Sequence, residues 1–266
     1  MPHSAPIPPL RRLELDRRPP ATALRPPPGA VYTAMRQIEG GRVPGLTHHL
    51  DRLWASATAL GWSPTRTRHD LRAALRAAGR DQPGGDAALL LDLHPDGGGV
   101  LARWPLAPPR SDGARLARAR PGATRAVPAA KDSAWRADRR RWEADPSADD
   151  HLLEGPDGAL LEGFTSTLLF ARGGRIVTHG AGALHGVTRR LLTAPFAALG
   201  LELIAGTTRW SDLAATDEVA MASALRGLRP VVQVGAHRVG GGRPGPIMTA
   251  AHHALERHLR AVAQAP

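Results

Sequence analysis

Residues 149–166 read DDHLLEGPDGALLEGFTS. Two apolar pieces, 151–154 and 159–162, flank Gly155-Pro156-Asp157-Gly158, where proline presets one turn dihedral and glycine accepts a left-handed one. The stretch therefore predicts a β-hairpin that ends on a carboxylate, Glu162. Working outward toward the C-terminus, residues 166–171, Gly173-Gly174 and 175–178 predict a second hairpin. Gly186-Val187-Thr188 opens an apolar helix that runs to Leu199, with Thr188 as its N-cap and Gly200 as its stop. Strands at 201–205, 218–222 and 231–234 follow, then a terminal helix over about 247–262.

Toward the N-terminus, residues 31–38 alternate as a strand and Glu39-Gly40-Gly41 reverses the chain. Leu46, Leu50, Leu53, Trp54, Ala57 and Leu60 then recur at helical spacing until Gly61, which predicts an amphipathic helix. Residues 70–79 read as a second helix, and 87–93 with 100–104 as a hairpin around the glycine-rich turn 96–99. A short strand at 12–16 precedes Pro26, Pro27, Pro28 and Gly29, where proline excludes a central strand. Residues 105–128, rich in Pro, Gly and Arg, read as a boundary, and 133–144 as a helix beyond it. No internal repeat appears. The expectation is an α/β (α+β) chain in two lobes, 1–118 and 119–266.

Composition narrows the chemistry. The 266 residues hold 35 Lys plus Arg against 24 Asp plus Glu, a formal charge of +11, yet the only lysine is Lys131. Arginine meets the general need for positive charge, so an amine kept at 131 points to reactivity: an ε-amine can lose its proton and attack a carbonyl, whereas a guanidinium cannot. The competing reading is a stray surface residue in an arginine-rich chain. The arginines are spread along the sequence without an RNA-binding aromatic motif, zinc-finger spacing or basic heptads, so no nucleic-acid partner is expected. Zero cysteines exclude disulfides and thiolate chemistry. Met1 to Leu10 is proline-rich without an apolar signal core, and no long apolar run follows. A cytoplasmic protein without a membrane partner is the expectation. His252, His253 and His258 lack a His-Glu-x-x-His spacing, so no metal site is expected.

A lone lysine forming an imine with an aldehyde cofactor needs a carboxylate to hold the ring nitrogen protonated and an anion cup for a phosphate. Lys131, Glu162, Gly186-Val187-Thr188 and Arg52 are candidates for these parts, although a strand-end glutamate or a helical arginine is ordinarily just solvated.

Their order along the chain resembles the class IV aminotransferases, the fold-type IV pyridoxal-phosphate enzymes that include branched-chain and D-amino-acid transaminases and aminodeoxychorismate lyase. The blocks that carry the resemblance are His49-Leu50-Asp51-Arg52-Leu53-Trp54-Ala55-Ser56-Ala57, Lys131, residues 149–154 with 160–166, Leu184-His185-Gly186-Val187-Thr188-Arg189, Thr216-Asp217-Glu218-Val219, and Ser223-Ala224-Leu225 with Pro230-Val231. The resemblance spans about 31–234. It implies pyridoxal 5'-phosphate as cofactor, held between a small N-terminal lobe and a larger C-terminal one, and a homodimer. It implies Lys131 as Schiff-base lysine and proton shuttle and Glu162 as partner of the pyridine nitrogen. Arg52, Val187 and Thr188 would hold the phosphate, with a further contact from Ser223 or Ala224.

The chain departs from the family pattern at Pro26 to Ala30, at Thr178-His179-Gly180-Ala181-Gly182-Ala183, and at Thr167, where Asn commonly follows the serine. These departures fall on the substrate side. Tyr32-Thr33-Ala34-Met35-Arg36 and Ser223-Ala224-Leu225 look more like aminodeoxychorismate lyase than a transaminase, so elimination of pyruvate to give p-aminobenzoate is the leading expectation. Tyr32, Thr33 and Arg36 are candidate substrate contacts, against readings of Thr33 as a structural hydroxyl and Arg36 as an exposed strand residue. Amino-acid transamination is the alternative, and an inactive binding protein a second one.

Overall fold

In the computed structural model, residues 8, 10–17, 26–79, 85–108 and 110–266 are described. The proline-rich opening thus lies largely outside the described residues. In chain order the elements begin with β1 (Leu10–Glu14), β2 (Val31–Gln37), β3 (Val43–Pro44), α1 (Leu46–Ala59), α2 (Arg68–Gly79), β4 (Ala87–Leu93), β5 (Gly99–Pro105), β6 (Ala114–Arg118) and α3 (Ser133–Asp138). They continue with β7 (Asp150–Glu154), β8 (Leu160–Gly163), β9 (Thr167–Arg172), β10 (Arg175–His179), α4 (Val187–Leu191), α5 (Thr193–Ala198), β11 (Glu202–Gly206), β12 (Glu218–Ser223), β13 (Gly227–Val234), β14 (His237–Arg238), α6 (Pro246–Ala261) and β15 (Ala263–Gln264). The fold is mixed α/β. Among the described residues no helix is long and apolar enough to cross a membrane.

Two compact units emerge, each discontinuous in sequence: residues 1–107, 130–138 and 262–266 form one, and 108–129 with 139–261 the other. The division read from the sequence, 1–118 and 119–266, is linear instead.

The first unit is a four-stranded sheet in the order β1-β5-β4-β2, antiparallel except for the parallel β1-β5 pair. Leucines and valines from β2, β4 and β5 meet Leu46, Leu50 and Leu53 of α1 and Leu71 and Leu75 of α2 in one dry core. The chain enters α1 through Gly45, whose φ of 63° is left-handed and costs glycine little. Thr67 and Asp70 exchange side-chain to backbone hydrogen bonds of 3.1 and 2.8 Å at the start of α2, a capping box.

The second unit is a nine-stranded sheet in the order β11-β10-β9-β12-β13-β6-β7-β8, with β14 attached to β13. The sheet curls toward closure. Just after the edge strand β11, Thr208 O accepts from Leu160 N–H of the opposite edge at 2.7 Å, and Arg209 bridges Ala159. Alternation sorts β9 and β12 between two cores: Leu168, Phe170, Val219 and Met221 face one side, and Leu169, Ala171, Ala220 and Ala222 meet α5 and α6 on the other.

Five expectations need correction. The strand at 12–16 lies at Leu10–Glu14, paired in parallel with β5. The stretch 105–128 is no mere boundary, because β6 sits inside the large sheet between β13 and β7. The helix at 133–144 stops at Asp138 and tightens to a 3-10 turn over Arg139–Trp142. The helix opened by Gly186 is two short ones; Pro195, in the first turn of α5, has no N–H to continue the ladder. Gly186 is the N-cap of α4, and Thr188 lies inside the helix.

Candidate active site

In the first unit, helical spacing places His49, Arg52 and Ser56 of α1 along one face. Ser56 Oγ donates to Arg52 O at 2.8 Å and accepts the backbone N–H of Lys131 at 3.0 Å. Lys131 O in turn accepts from Tyr32 N–H at 3.0 Å, and Asp132 bridges Val31. The lysine backbone is thus clamped on both sides, and its side chain is half-buried. Its Nζ lies 4.7 Å from the Tyr32 ring centroid. Arg136 Cζ lies 5.2 Å from the same ring, and Asp92 pairs with Arg136 and accepts from Ser133 Oγ. Burial pushes the Asp92 carboxyl up from its ordinary value, an effect the Arg136 charge opposes.

Arg52 Nη2 donates to Thr33 Oγ1 at 3.0 Å, and Thr33 Oγ1 lies 2.8 Å from His49 Nδ1. Burial holds His49 well below the usual histidine range, and the charges of Arg52 and Lys131 push it the same way. A neutral ring accepts the Thr33 hydroxyl proton at Nδ1, which leaves the Thr33 oxygen to receive Arg52.

Tyr32, Thr33 and Arg36 do not share one face of β2. Alternation along β2 puts Tyr32 and Arg36 on one face of the sheet and Thr33 on the other, toward α1. Arg36 is neither exposed nor presented outward: its side chain is 2% accessible and its Nε donates to Asp86 at 2.7 Å. Thr33 serves Arg52 and His49.

In the second unit, Glu162 sits on β8 opposite Leu153 of β7, its Oε1 accepting from Arg125 Nε at 2.8 Å. The next residue must be glycine, since a Cβ on Gly163 would lie 2.4 Å from Ser166 Oγ and 2.8 Å from Asp150 Oδ2. That closeness folds the 163–166 turn onto Asp150. Its Oδ2 accepts from Thr165 N (3.2 Å), Thr165 Oγ1 (2.9 Å), Ser166 Oγ (2.8 Å) and Arg226 Nη2 (3.3 Å). Arg226 also donates to Asp149 O at 3.0 Å and, through its backbone N–H, to Ser223 Oγ at 3.4 Å. Val187 and Thr188 are buried at the start of α4, and Gly186 approaches Thr167 so closely that a Cβ would lie 2.6 Å from Thr167 Oγ1. Thr167 pairs with Ala222, the neighbour of Ser223. Glu162 is thus on the edge strand β8, Val187 and Thr188 open α4 beside the start of β9, and Ser223 ends β12 with Ala224 following it.

Each unit carries donors of distinct chemistry: an amine and a guanidinium in the first, a buried carboxylate with hydroxyls and helix-start N–H groups in the second. By chemistry alone, the amine suits an aldehyde, the buried carboxylate a basic ring nitrogen, and the guanidinium or the hydroxyls with helix-start N–H groups a phosphate. The sequence alone gives no role to Arg125, Asp92, Arg136, Asp150 or Arg226, nor to His49 or Ser56. The i, i+3, i+7 spacing of His49, Arg52 and Ser56 was a usable signal, as was Asp92, the one charge in an apolar strand. Arg125 stands in a stretch whose composition marks a linker, and nothing local distinguishes it.

A family model for amino-transferase class IV matches residues 30–234. No curated protein sequence matches the chain. Similar solved structures include a putative branched-chain amino acid aminotransferase from Thermotoga maritima, with a TM-score of 0.76, 22% identity, and coverage of 87% of this chain and 86% of that one. The pyridoxal-phosphate-bound form of a hypothetical aminotransferase from Mycobacterium tuberculosis gives 0.75, 21%, 88% and 90%. The branched-chain amino acid aminotransferase of Escherichia coli gives 0.67, 22%, 85% and 84%. At these identities the structural likeness is one of fold.

Proposed function

The chain belongs to the class IV aminotransferase family and is a pyridoxal-phosphate enzyme, and from that premise we propose that it moves an amino group between an amino acid and a 2-oxo acid. The observation that carries transfer over pyruvate elimination is the fate of Thr33 and Arg36. Both were the candidate anchors for a dianionic chorismate-type substrate, and both are engaged inside the fold, by Arg52 with His49 and by Asp86. The branched-chain aminotransferases among the similar structures make branched-chain amino acids the first donors to assay.

Bound pyridoxal phosphate supplies an aldehyde carbon for amines and a cationic ring that draws electron density from the substrate carbon. Lys131 would hold the aldehyde carbon through Nζ, and its amine is the base that would take a proton from the substrate carbon bearing the amino group and hold it at Nζ. Its backbone clamp to Ser56 and Tyr32 restricts that motion to the side chain. Glu162, as a carboxylate, would accept a hydrogen bond from the protonated ring nitrogen. Arg52 would offer its guanidinium to the phosphate, together with the N–H groups of Val187 and Thr188, the Thr188 hydroxyl, and Ser223 or Ala224. Tyr32 would flank Lys131 on the substrate side. The family resemblance also supports a homodimer.

The test sets two assays side by side on the cofactor-loaded chain. Transfer from leucine, isoleucine or valine to 2-oxoglutarate is expected, without p-aminobenzoate release from aminodeoxychorismate; release without transfer overturns the proposal. Glu162→Gln should retain the cofactor and lower kcat, and an unchanged kcat would remove Glu162 from its role.

A further inference from the structure

Glu162 has a cation of its own. Arg125 stands 37 residues earlier in the chain, and the two side chains are 4% and 5% accessible. Arg125 Nε donates to Glu162 Oε1 at 2.8 Å, and Nη2 donates to Phe164 O at 3.3 Å. One planar fork thereby holds a carboxylate and the backbone two residues beyond it. Phe164 is fixed from the far side as well: its N–H donates to His151 O at 2.8 Å, and its ring stacks on that of His151 at 5.2 Å.

A carboxylate taken out of water regains a proton unless a cation compensates. A guanidinium stays charged at every working pH. When a carboxyl group and a pyridine nitrogen share one proton, a guanidinium on the carboxyl side stabilises the anion and moves that proton to the nitrogen. Only the protonated ring withdraws electrons strongly.

We propose that Arg125 is a positioning residue that keeps Glu162 ionised and aimed, so that the cofactor's ring nitrogen carries the proton. This rests on the assignment of Glu162 above. Lysine at 125 supplies charge without the fork, and glutamine supplies neither.

Four full-length proteins decide it: wild type, Arg125→Gln, Glu162→Gln and the double variant. Infrared spectra of the cofactor-free proteins over about pH 5 to 8, the range in which a buried carboxyl regains its proton, should show a protonated-carboxyl stretch in Arg125→Gln. That band should be absent from wild type and from the double variant. With pyridoxal phosphate bound, Arg125→Gln should lose roughly tenfold in kcat with little change in KM, the scale usual for loss of a group that orients a ligand. In the Glu162→Gln background the same change should cost less than about twofold, because coupled residues are not additive. Arg125→Lys should abolish the new band and recover part of kcat. No new band together with a full further loss of kcat in the Glu162→Gln background overturns the proposal and leaves Arg125 a brace for the 162–164 backbone. If Glu162→Gln alone keeps wild-type kcat, the role of Glu162 falls, and the infrared band still decides whether Arg125 sets its charge. Should Arg125→Gln not fold, Arg125→Lys completes the same cycle, and a full further loss in the Glu162→Gln background again overturns the proposal.

Discussion

Replacing Ser56 with alanine removes one oxygen from a fully buried position and tests how Lys131 is held. The hydroxyl's bond to Arg52 O runs back along its own helix, a pattern that adds little to stability. Its other bond, accepting the Lys131 N–H at 3.0 Å, joins α1 to a residue 75 positions away. Deleting that acceptor leaves a backbone donor without its partner, which costs about 2 kcal/mol. For a chain of this length that is a fall of roughly 5 °C in the thermal midpoint. The functional effect should exceed the stability effect. An amine displaced by about 1 Å from its working position loses on the order of 100-fold in rate, so kcat for amino transfer should fall by roughly 10- to 100-fold while KM changes little. Thermal unfolding by circular dichroism and steady-state kinetics on the same preparation read both. A lowered midpoint with kcat within about twofold of wild type refutes the idea that Ser56 positions Lys131. An unchanged midpoint refutes the hydrogen bond itself as a source of stability.

Lys131→Arg keeps the charge beside Tyr32 and removes the one amine, so the visible absorbance of bound cofactor and the transfer activity should both vanish while far-ultraviolet circular dichroism stays that of wild type. A retained band would show that another group binds the aldehyde. His49→Asn keeps an acceptor near Nδ1 and abolishes a titration. Folded His49 is held well below 6.5 and stays neutral, whereas the unfolded chain takes up a proton as pH falls through 6.5. Its contribution is complete above that pH and is lost below it, so the stability advantage of wild type over His49→Asn should narrow on acidification. Urea midpoints at several pH values test this, and parallel curves would contradict it.

The parts of the fold legible in the sequence are those fixed by neighbours along the chain. The 155–158 turn, the alternation of β2 and the apolar stripe of α1 each need only a few consecutive residues to specify them. β6 is different: ALA-ARG-LEU-ALA-ARG over 114–118 has no strong alternation of its own, and it becomes a strand because β13 and β7 offer ladders on either side. The same contrast holds at the site. Lys131 and Glu162 stand out by chemistry and Arg52 by its place in a motif, but Asp92 meets Arg136 across 44 positions and Arg125 meets Glu162 across 37. Period-two geometry alone, applied to β2, separates Thr33 from Tyr32 and Arg36.

The arginine excess has a structural explanation that bears on the single lysine. Arg229 donates to the carbonyls of Asp112 and Gly113 while pairing with Asp149; Arg226 joins Asp149 O, Asp150 and Thr165; Arg125 joins Glu162 and Phe164 O. Each is a planar donor serving two or three acceptors at once, which an ammonium on a flexible stem cannot reproduce. These three arginines are thus committed to bracing turns and strand ends rather than to a surface for polyanions. Bracing selects for guanidinium, and reversible bonding to an aldehyde carbon selects against it. On this division of labour, substituting lysine at 125, 226 or 229 should weaken the structure even though charge is preserved, just as arginine at 131 preserves charge and forfeits the chemistry.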